Sequence, residues 1–143
     1  LVYYLSITLN REKGDGMNEF NDTAPIYLQI TDIIKKRIIA GELKPGEQLP
    51  SVRQTAEDMK VNPNTVIRSY AELEREGIAE KRRGMGTFIS ENTAVIENVR
   101  NEVSHKLVSD FVSGMDECGF PAADIIALVQ KHIEMRTEQQ ENV

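Results

Sequence analysis

Apolar residues after position 25 recur at helical spacing, and the first such run predicts one amphipathic helix. Its apolar residues, separated by three or four positions, are Ile26, Ile30, Ile33, Ile34 and Ile38. That spacing places them on one buried face. Asp22, Thr23 and Pro25 should begin the helix, because a side-chain oxygen can accept from its free N–H groups and proline tolerates the first turn. Gly41 should end it.

Two shorter runs follow and are joined by a tight connector. Ser51 and Gln54 match a capping box, which predicts a helix from about Val52 to Met59 with Arg53 pointing outward near its start. Asn62 as cap and Pro63 in the first turn predict the next helix. It should end at Glu76 and Gly77, with Val66, Tyr70 and Leu73 facing inward and Asn64, Thr65, Arg68 and Ser69 facing outward.

The segment after Gly77 is typical of a β-hairpin. Strands Ala79–Arg83 and Thr87–Ser90 should be joined at Gly84-Met85-Gly86, since glycine reaches positive φ without steric cost. Lys81, Arg82 and Arg83 then place positive charge near the tip. A short extended stretch at Gln48 and Leu49 could pair with this hairpin.

Beyond Asn92 two long amphipathic helices are predicted, interrupted at Gly119-Phe120-Pro121. The polar tail from Thr137 is expected to fray. Two antiparallel helices have little interior of their own, so a second copy of the chain is the expected partner of this helical hairpin. The residues expected at this dimer interface are Val103, Leu107, Phe111, Ile125, Leu128 and Val129.

These patterns predict a mainly α fold with a small β-hairpin wing, a winged helix-turn-helix followed by a C-terminal helical hairpin. We expect three segments along the 143 residues. Residues 17–92 form the winged helix-turn-helix and residues 93–143 the dimerisation hairpin. Leu1–Gly16 is interpreted as a translated leader or otherwise non-native segment before a start at Met17, with an extra strand or a cloning remnant as the alternatives.

Charge is unevenly distributed along the chain. The net charge is −6, yet residues 17–92 carry 11 Lys and Arg against 12 Asp and Glu, whereas residues 93–143 carry 4 against 9. Local cationic clusters at Lys35–Arg37 and Lys81–Arg83 can contact phosphates despite the total, although the first is the more typical of an ordinary solvated surface. The charged fraction of 28% and the absence of Trp favour a cytoplasmic protein, and the apolar stretch Leu1–Leu9 is too short to span a bilayer.

The sequence contains no pattern that indicates catalysis, a cofactor or a metal site. We find no paired acids, no phosphate-binding glycine loop and no Ser/His/Asp set. His105 and His132 lack a ligand cluster, and Cys118 cannot form an internal disulfide. The chain is therefore not expected to be an enzyme.

From Pro25 to Ser90 the chain resembles the winged helix-turn-helix domain of the GntR family of bacterial transcription regulators. The residues that carry the resemblance are Pro25-Ile26-Tyr27, Ile39-Ala40-Gly41-Glu42-Leu43, Pro45-Gly46, Leu49-Pro50-Ser51, Arg53, Val61-Asn62-Pro63-Asn64-Thr65-Val66 and Leu73 through Gly77. The short C-terminal segment resembles the YtrA-type branch, which is often associated with transporter operons. The resemblance implies a homodimeric regulator, expected to be a repressor, that binds a palindromic double-stranded DNA operator; a small-molecule effector is left open.

The resemblance also implies where DNA is contacted. Family contacts fall on Arg53, on the first turn of the third helix and on Gly84 at the wing tip. We expect Asn64, Thr65 and Arg68 to reach base edges and Arg53 and Ser69 to reach phosphates. Arg82, Arg83 and Gly84 are expected at the minor groove or its flanking backbone. Pro63 and Ile67 stand where many family members have arginine.

Three alternatives remain at this point. Arg68 could pair with Glu72 on a solvated helix face, and Lys81–Arg83 could be an ordinary charged edge strand. The alternative for the whole chain is a helical interaction module whose winged helix docks a protein partner, which the acidic total favours slightly.

Overall fold

The computed structural model describes residues 20–141, which contain five helices and one two-stranded sheet. In chain order these are α1 (Ile26–Ile39), α2 (Val52–Met59), α3 (Pro63–Arg75), β1 (Ala79–Arg82), β2 (Gly86–Ile89), α4 (Thr93–Glu117) and α5 (Ala122–Glu141). The predicted mainly α fold with a hairpin wing is confirmed. The interpretation of Leu1–Gly16 lies outside the described residues. None of the described helices combines the length and hydrophobicity that crossing a bilayer requires.

The helix starts are determined by local hydrogen bonds, two of them as predicted. The Ser51 side chain accepts from the Gln54 N–H at 3.1 Å, and the Asn62 side chain caps α3. The prediction that the Gln54 side chain accepts in return from the Ser51 N–H is wrong, because this side chain donates to Asp58 Oδ1 at 2.7 Å. Lys60, at φ +53°, ends α2 in the left-handed conformation.

The predicted side-chain cap at the start of α1 is wrong. Pro25 occupies the cap position, and no side chain accepts from the first turn. The Thr23 hydroxyl instead bonds the side chain of Asn21. The Gln29 side chain, which is buried, donates to the carbonyl oxygens of Asn21 and Ala24 and thereby holds the segment before α1 in place.

A single hydrophobic core fills residues 20–103. Its largest fully buried apolar side chains are Ile30, Val66, Leu73, Ile78 and Ile89. The inner faces predicted for α1 and α3 contribute most of it, except that Ile26 is 42% exposed and Ile33 is only half-buried. Four-residue spacing therefore predicted the core of the helix-turn-helix correctly but overextended the face of α1 by one turn.

The wing is an antiparallel pair that packs against this core. Ala79 pairs with Ile89 and Arg82 with Gly86. The first strand therefore ends one residue earlier than predicted, and the second strand begins and ends one residue earlier than predicted. The expected pairing of the stretch before α2 is confirmed, because Gln48 forms a bridge with Phe88 and the Leu49 N–H donates to the Thr87 carbonyl at 2.8 Å. Buried Ile78 and Ile89 fix the base of the hairpin.

The described chain divides into two compact units, residues 20–103 and 104–141, which are described separately. The first unit extends past the predicted division after Asn92, because Val95, Ile96, Val99 and Val103 of α4 pack in its core. Within residues 104–141 Ile125 is the one buried hydrophobic residue. In the structure α5 continues through Thr137 to Glu141, so the polar tail that is expected to fray is helical over its described part.

Candidate nucleic-acid interface

The outer face of α3 presents the polar residues predicted to read bases. Asn64 and Arg68 are exposed one helical turn apart, and Thr65 is half-buried between them and the core. The Asn62 side chain accepts from the Asn64 N–H at 2.9 Å, which fixes where the helix begins. Pro63 supplies no N–H at a position where none could bond within the helix. The first turn is thus rigidly placed while its outward side chains remain accessible.

Ser69 was predicted on this outer face, and that prediction is wrong. Its side chain is fully buried, with its Oγ 3.0 Å from Oγ1 of Thr31 on α1. Position 69 lies three residues after Val66 and four before Leu73, so it shares their inward side. The pair of hydroxyls satisfies two buried polar groups where α1 crosses α3. Ser69 therefore cannot contact a phosphate in this fold.

Arg68 contacts an aromatic ring rather than the acid suggested by the sequence. Its guanidinium carbon lies 4.2 Å from the ring centroid of Tyr27. Glu72 instead accepts from Arg75, with 3.0 Å between Arg75 Nε and Glu72 Oε2. This hydrogen bond lowers the pKa of the Glu72 carboxyl and raises the pKa of the Arg75 guanidinium. The alternative pairing of Arg68 with Glu72 is therefore wrong.

Tyr27 is a neighbour of the site that sequence reasoning missed. It lies in the first turn of α1 and comes beside Arg68 only because α1 packs across α3. A cation–π contact at an exposed site contributes about 0.5–1 kcal/mol, which is enough to favour one arginine conformation without fixing it. No local sequence signal links positions 27 and 68, since the contact is tertiary.

Arg53 projects from the start of α2 into solvent. Its side chain is 89% exposed, with its Nε 3.0 Å from Glu57 Oε1 one turn later. An exposed pair of this kind contributes about 0.3–0.5 kcal/mol, so a phosphate could replace the carboxylate at little cost. The predicted outward orientation of Arg53 is confirmed.

The wing holds its three cations in different ways. Arg82 donates to Glu80 Oε1 from Nε at 2.8 Å and from Nη2 at 2.6 Å, and its guanidinium lies over the Phe88 ring at 4.3 Å. Arg82, Glu80 and Phe88 share one face of the hairpin because strand positions two apart, and cross-strand partners, point the same way. Lys81 and Arg83 are exposed, so the freer positive charge lies at these two residues.

Two glycines shape the tip of the wing. Gly84 adopts φ +74° and Gly86 adopts φ +116°. A Cβ at Gly84 would meet open space, whereas one at Gly86 would lie 2.6 Å from Gln48 Nε2. That same nitrogen donates to the Met85 carbonyl at 2.7 Å. Gln48 therefore braces the tip from outside the hairpin.

The second cationic cluster, Lys35–Arg37, is largely neutralised. Lys35 forms an ion pair with Glu76 at the end of α3, and Arg37 with Glu42 at 3.4 Å. Lys35 is mostly buried in this contact, with 12% of its side chain exposed. These ion pairs join α1 to its neighbours, so Lys35 and Arg37 make structural contacts, and Lys35 is less solvated than predicted.

Buried hydrogen bonds fix the angle between α2 and α3. The Tyr70 hydroxyl lies 2.8 Å from Thr55 Oγ1 and donates to the Pro50 carbonyl at 2.8 Å. Burial raises the pKa of the Tyr70 phenol, against the lowering effects of Thr55 and the positive charge of Arg37. Because Tyr70 connects the chain before α2 with the middle of α3, it fixes the position of Arg53 relative to the outer face of α3.

The exposed apolar residues of residues 104–141 include half of the predicted interface set, together with residues outside it. Of the predicted interface set, Leu107, Leu128 and Val129 are 37%, 46% and 38% exposed. Phe111 is half-buried. Ile125 is buried within its own chain and Val103 packs in the first unit, so these two have little surface left for a partner.

On α5 an exposed apolar stripe joins Val129 of the predicted set to Ile126 and Ile133, at three- and four-residue spacing. Ile126 and Ile133 are 69% and 58% exposed, more than any predicted interface residue. Among the described residues no three His, Cys, Asp or Glu side chains come together as metal ligands.

Comparison with known proteins agrees with this architecture. Residues 26–89 match the family model described as "Bacterial regulatory proteins, gntR family". The HTH-type transcriptional regulator YhcF of Bacillus subtilis (strain 168) is 44% identical over 109 residues, covering 76% of this chain and 90% of that protein. The HTH-type transcriptional repressor YtrA of the same organism is 47% identical over 87 residues, covering 59% and 67%.

A solved structure extends the likeness beyond the winged helix. The GntR family transcriptional regulator from Listeria monocytogenes is 39% identical, with a TM-score of 0.72, and the match covers 78% of this chain and 98% of that one. The relatives are regulators of transcription and not enzymes, as expected from the absence of a catalytic pattern.

Proposed function

Because the chain belongs to the GntR family of bacterial regulatory proteins and is a transcriptional regulator with a winged helix-turn-helix DNA-binding domain, we propose that it is a homodimeric repressor of a palindromic operator. The repressor assignment is supported by the 47% identity to YtrA, whose name describes a repressor. Regulation of a transporter operon rests on the resemblance to the YtrA-type branch. The proposed place of action is the cytoplasm.

The outer face of α3 carries the proposal for DNA. In an α-helix that enters the major groove, the residues reaching base edges are those opposite the packed face. Asn64 and Arg68 occupy this position on α3, with Thr65 at its edge. An amide offers a donor and an acceptor, and a guanidinium offers paired donors, which suits adenine and guanine respectively.

Backbone contacts are proposed on either side of that helix. Arg53 at the start of α2 is the phosphate contact on one side, supported by its 89% exposed side chain. On the other side the wing tip contributes Arg83 and Gly84, with Arg82 joining after release from Glu80. Each such contact adds affinity without sequence preference and releases counterions.

Dimerisation is proposed through residues 104–141. This unit buries Ile125 alone among its hydrophobic residues and leaves Leu107, Leu128 and Val129 accessible. Burying such apolar surface in an interface stabilises the dimer by about 25 cal/mol per Å² of surface removed from water. A twofold interface uses the same patch on both copies, which matches an apolar surface with no other described partner. An effector would act by changing the distance between the two winged helices.

The test is binding of the full chain to the upstream region of its own operon, measured over a range of salt concentrations. We expect a specific shift whose affinity falls steeply with salt, because about 0.9 counterions are released per phosphate contacted. An excess of unrelated DNA should not compete. Binding without sequence preference would instead support the protein-docking alternative and refute the proposed operator.

A further inference from the structure

An exposed apolar ridge runs along α3 beside the polar residues of the proposed interface. Pro63, Ile67 and Ala71 are all exposed and follow each other at four-residue steps, so they form one row on the helix surface. Ile67 is 51% exposed, although isoleucine is among the residues most often buried. The adjacent row contains Asn64 and Arg68, which places two chemically different ridges side by side on the outer face.

The polar ridge lies between the apolar ridge and α1. Arg68 lies over Tyr27 on α1, and buried Ser69 meets Thr31 of the same helix. Ile67, on the other side of the polar row, is directed away from α1. The stacking draws the Arg68 guanidinium toward α1, so it leaves the apolar ridge uncovered.

The major groove offers one apolar group, the C5 methyl of thymine. Elsewhere in the groove an apolar side chain would lie against hydrogen-bonding base edges, and this contact would add little binding free energy. We propose that the Pro63–Ile67–Ala71 ridge is a specificity element that reads thymine methyl groups in each half-site, with Ile67 as the main contact. This rests on the proposed function, since it requires α3 to lie in the major groove.

The contact selects thymine by burial rather than by hydrogen bonding. Cytosine and uracil lack the methyl group, so the ridge should distinguish T·A from C·G and from U·A alike. One methyl group buried against Ile67 should change the dissociation constant about fourfold, the factor expected for one buried methylene-sized group. Asn64 and Arg68 would read neighbouring positions by hydrogen bonds.

The experiment begins with the sequence that the full chain selects from a random-sequence duplex library. Each thymine of that site is then replaced singly by deoxyuridine, which removes the methyl and keeps every hydrogen-bonding group. Dissociation constants are measured by fluorescence anisotropy for the wild type, Ile67→Val and Ile67→Ala. Ile26→Ala is the matched control, because Ile26 is 42% exposed on α1 outside the ridge.

We expect replacement of thymine by deoxyuridine to lower the affinity of the wild type about fourfold at one or two positions of each half-site. Ile67→Ala should bind thymine and uracil equally there, Ile67→Val should keep part of the difference, and Ile26→Ala should keep all of it. The ratio between variants cancels any effect of uracil on DNA shape. A selected site whose methyl dependence is the same in Ile67→Ala and in the wild type would overturn this inference alone. No selected sequence at all would overturn the proposed function and this inference with it.

Discussion

The geometry of the wing tip depends on Gly86, and replacing it by alanine tests how the tip is held. Gly86 adopts φ +116°, outside the left-handed helical region near +60° that other residues sometimes enter. An added Cβ would also lie 2.6 Å from Gln48 Nε2. Because that nitrogen is the end of a flexible side chain, it can move away, but it then loses its bond to the Met85 carbonyl.

The expected cost follows from these two effects. An alanine held in such a sparsely populated conformation costs about 1–3 kcal/mol. The lost hydrogen bond from Gln48 adds about 0.5–1.5 kcal/mol. Gly86→Ala should therefore lower the free energy of unfolding by about 2–4 kcal/mol. Gly84→Ala is the matched control, because its Cβ would meet open space and φ +74° is close to the left-handed region, so it should cost about 1 kcal/mol.

Urea unfolding followed by circular dichroism measures both changes, with Gln48→Ala as the third variant. Gln48→Ala combined with Gly86→Ala should cost less than the sum of the two single changes, because the same hydrogen bond is lost only once. Equal destabilisation by Gly84→Ala and Gly86→Ala would refute the reasoning. Strict additivity with Gln48→Ala would show that Gln48 does not brace the tip.

Three further predictions concern the wing, the second unit and the buried phenol. Arg82→Ala should weaken binding to all DNA sequences and reduce the salt slope by about 1; gel shifts at several salt concentrations would contradict this if one base position alone were affected. Leu128→Asp should give monomers in sedimentation equilibrium, with Phe111→Asp as a second variant, and unchanged dimers in both would place the interface elsewhere. Burial raises the pKa of Tyr70 above its ordinary 10.0, so the stability that the protonated phenol contributes is fully present below pH 10 and is lost as the pH rises through the folded-state value. Denaturation measured from pH 9 to 11 should show a smaller decline in the free energy of unfolding for Tyr70→Phe than for the wild type.

Local patterns predicted the helix-turn-helix because each element contains its own signal. Ser51 and Asn62 accept from N–H groups within three residues, and the inner face of α3 follows from the spacing of Val66, Tyr70 and Leu73. The glycines of the wing likewise marked a turn that requires positive φ. Such features depend on few neighbours, so a single sequence is enough to find them.

The errors arose where the outcome depends on a second element. Ser69 was placed outside because it is small and polar, but α1 provides Thr31 as a hydrogen-bond partner for it in the core. The helical spacing of Arg68 and Glu72 allows an ion pair between them as an alternative, whereas in the fold Tyr27 of α1 lies beside Arg68. The start of α4, including Val99, also packs in this core, a contact that the local sequence pattern does not reveal.

The claim that two winged helices read one symmetric operator is tested most directly by hydroxyl-radical footprinting of the full chain on the sequence it selects. We expect two protected patches on one face of the duplex, related by a dyad and centred about one helical turn or a multiple of it apart. Leu128→Asp should lose the joint protection at concentrations where the wild type shows it. A single protected patch without a dyad, unchanged in Leu128→Asp, would contradict the account.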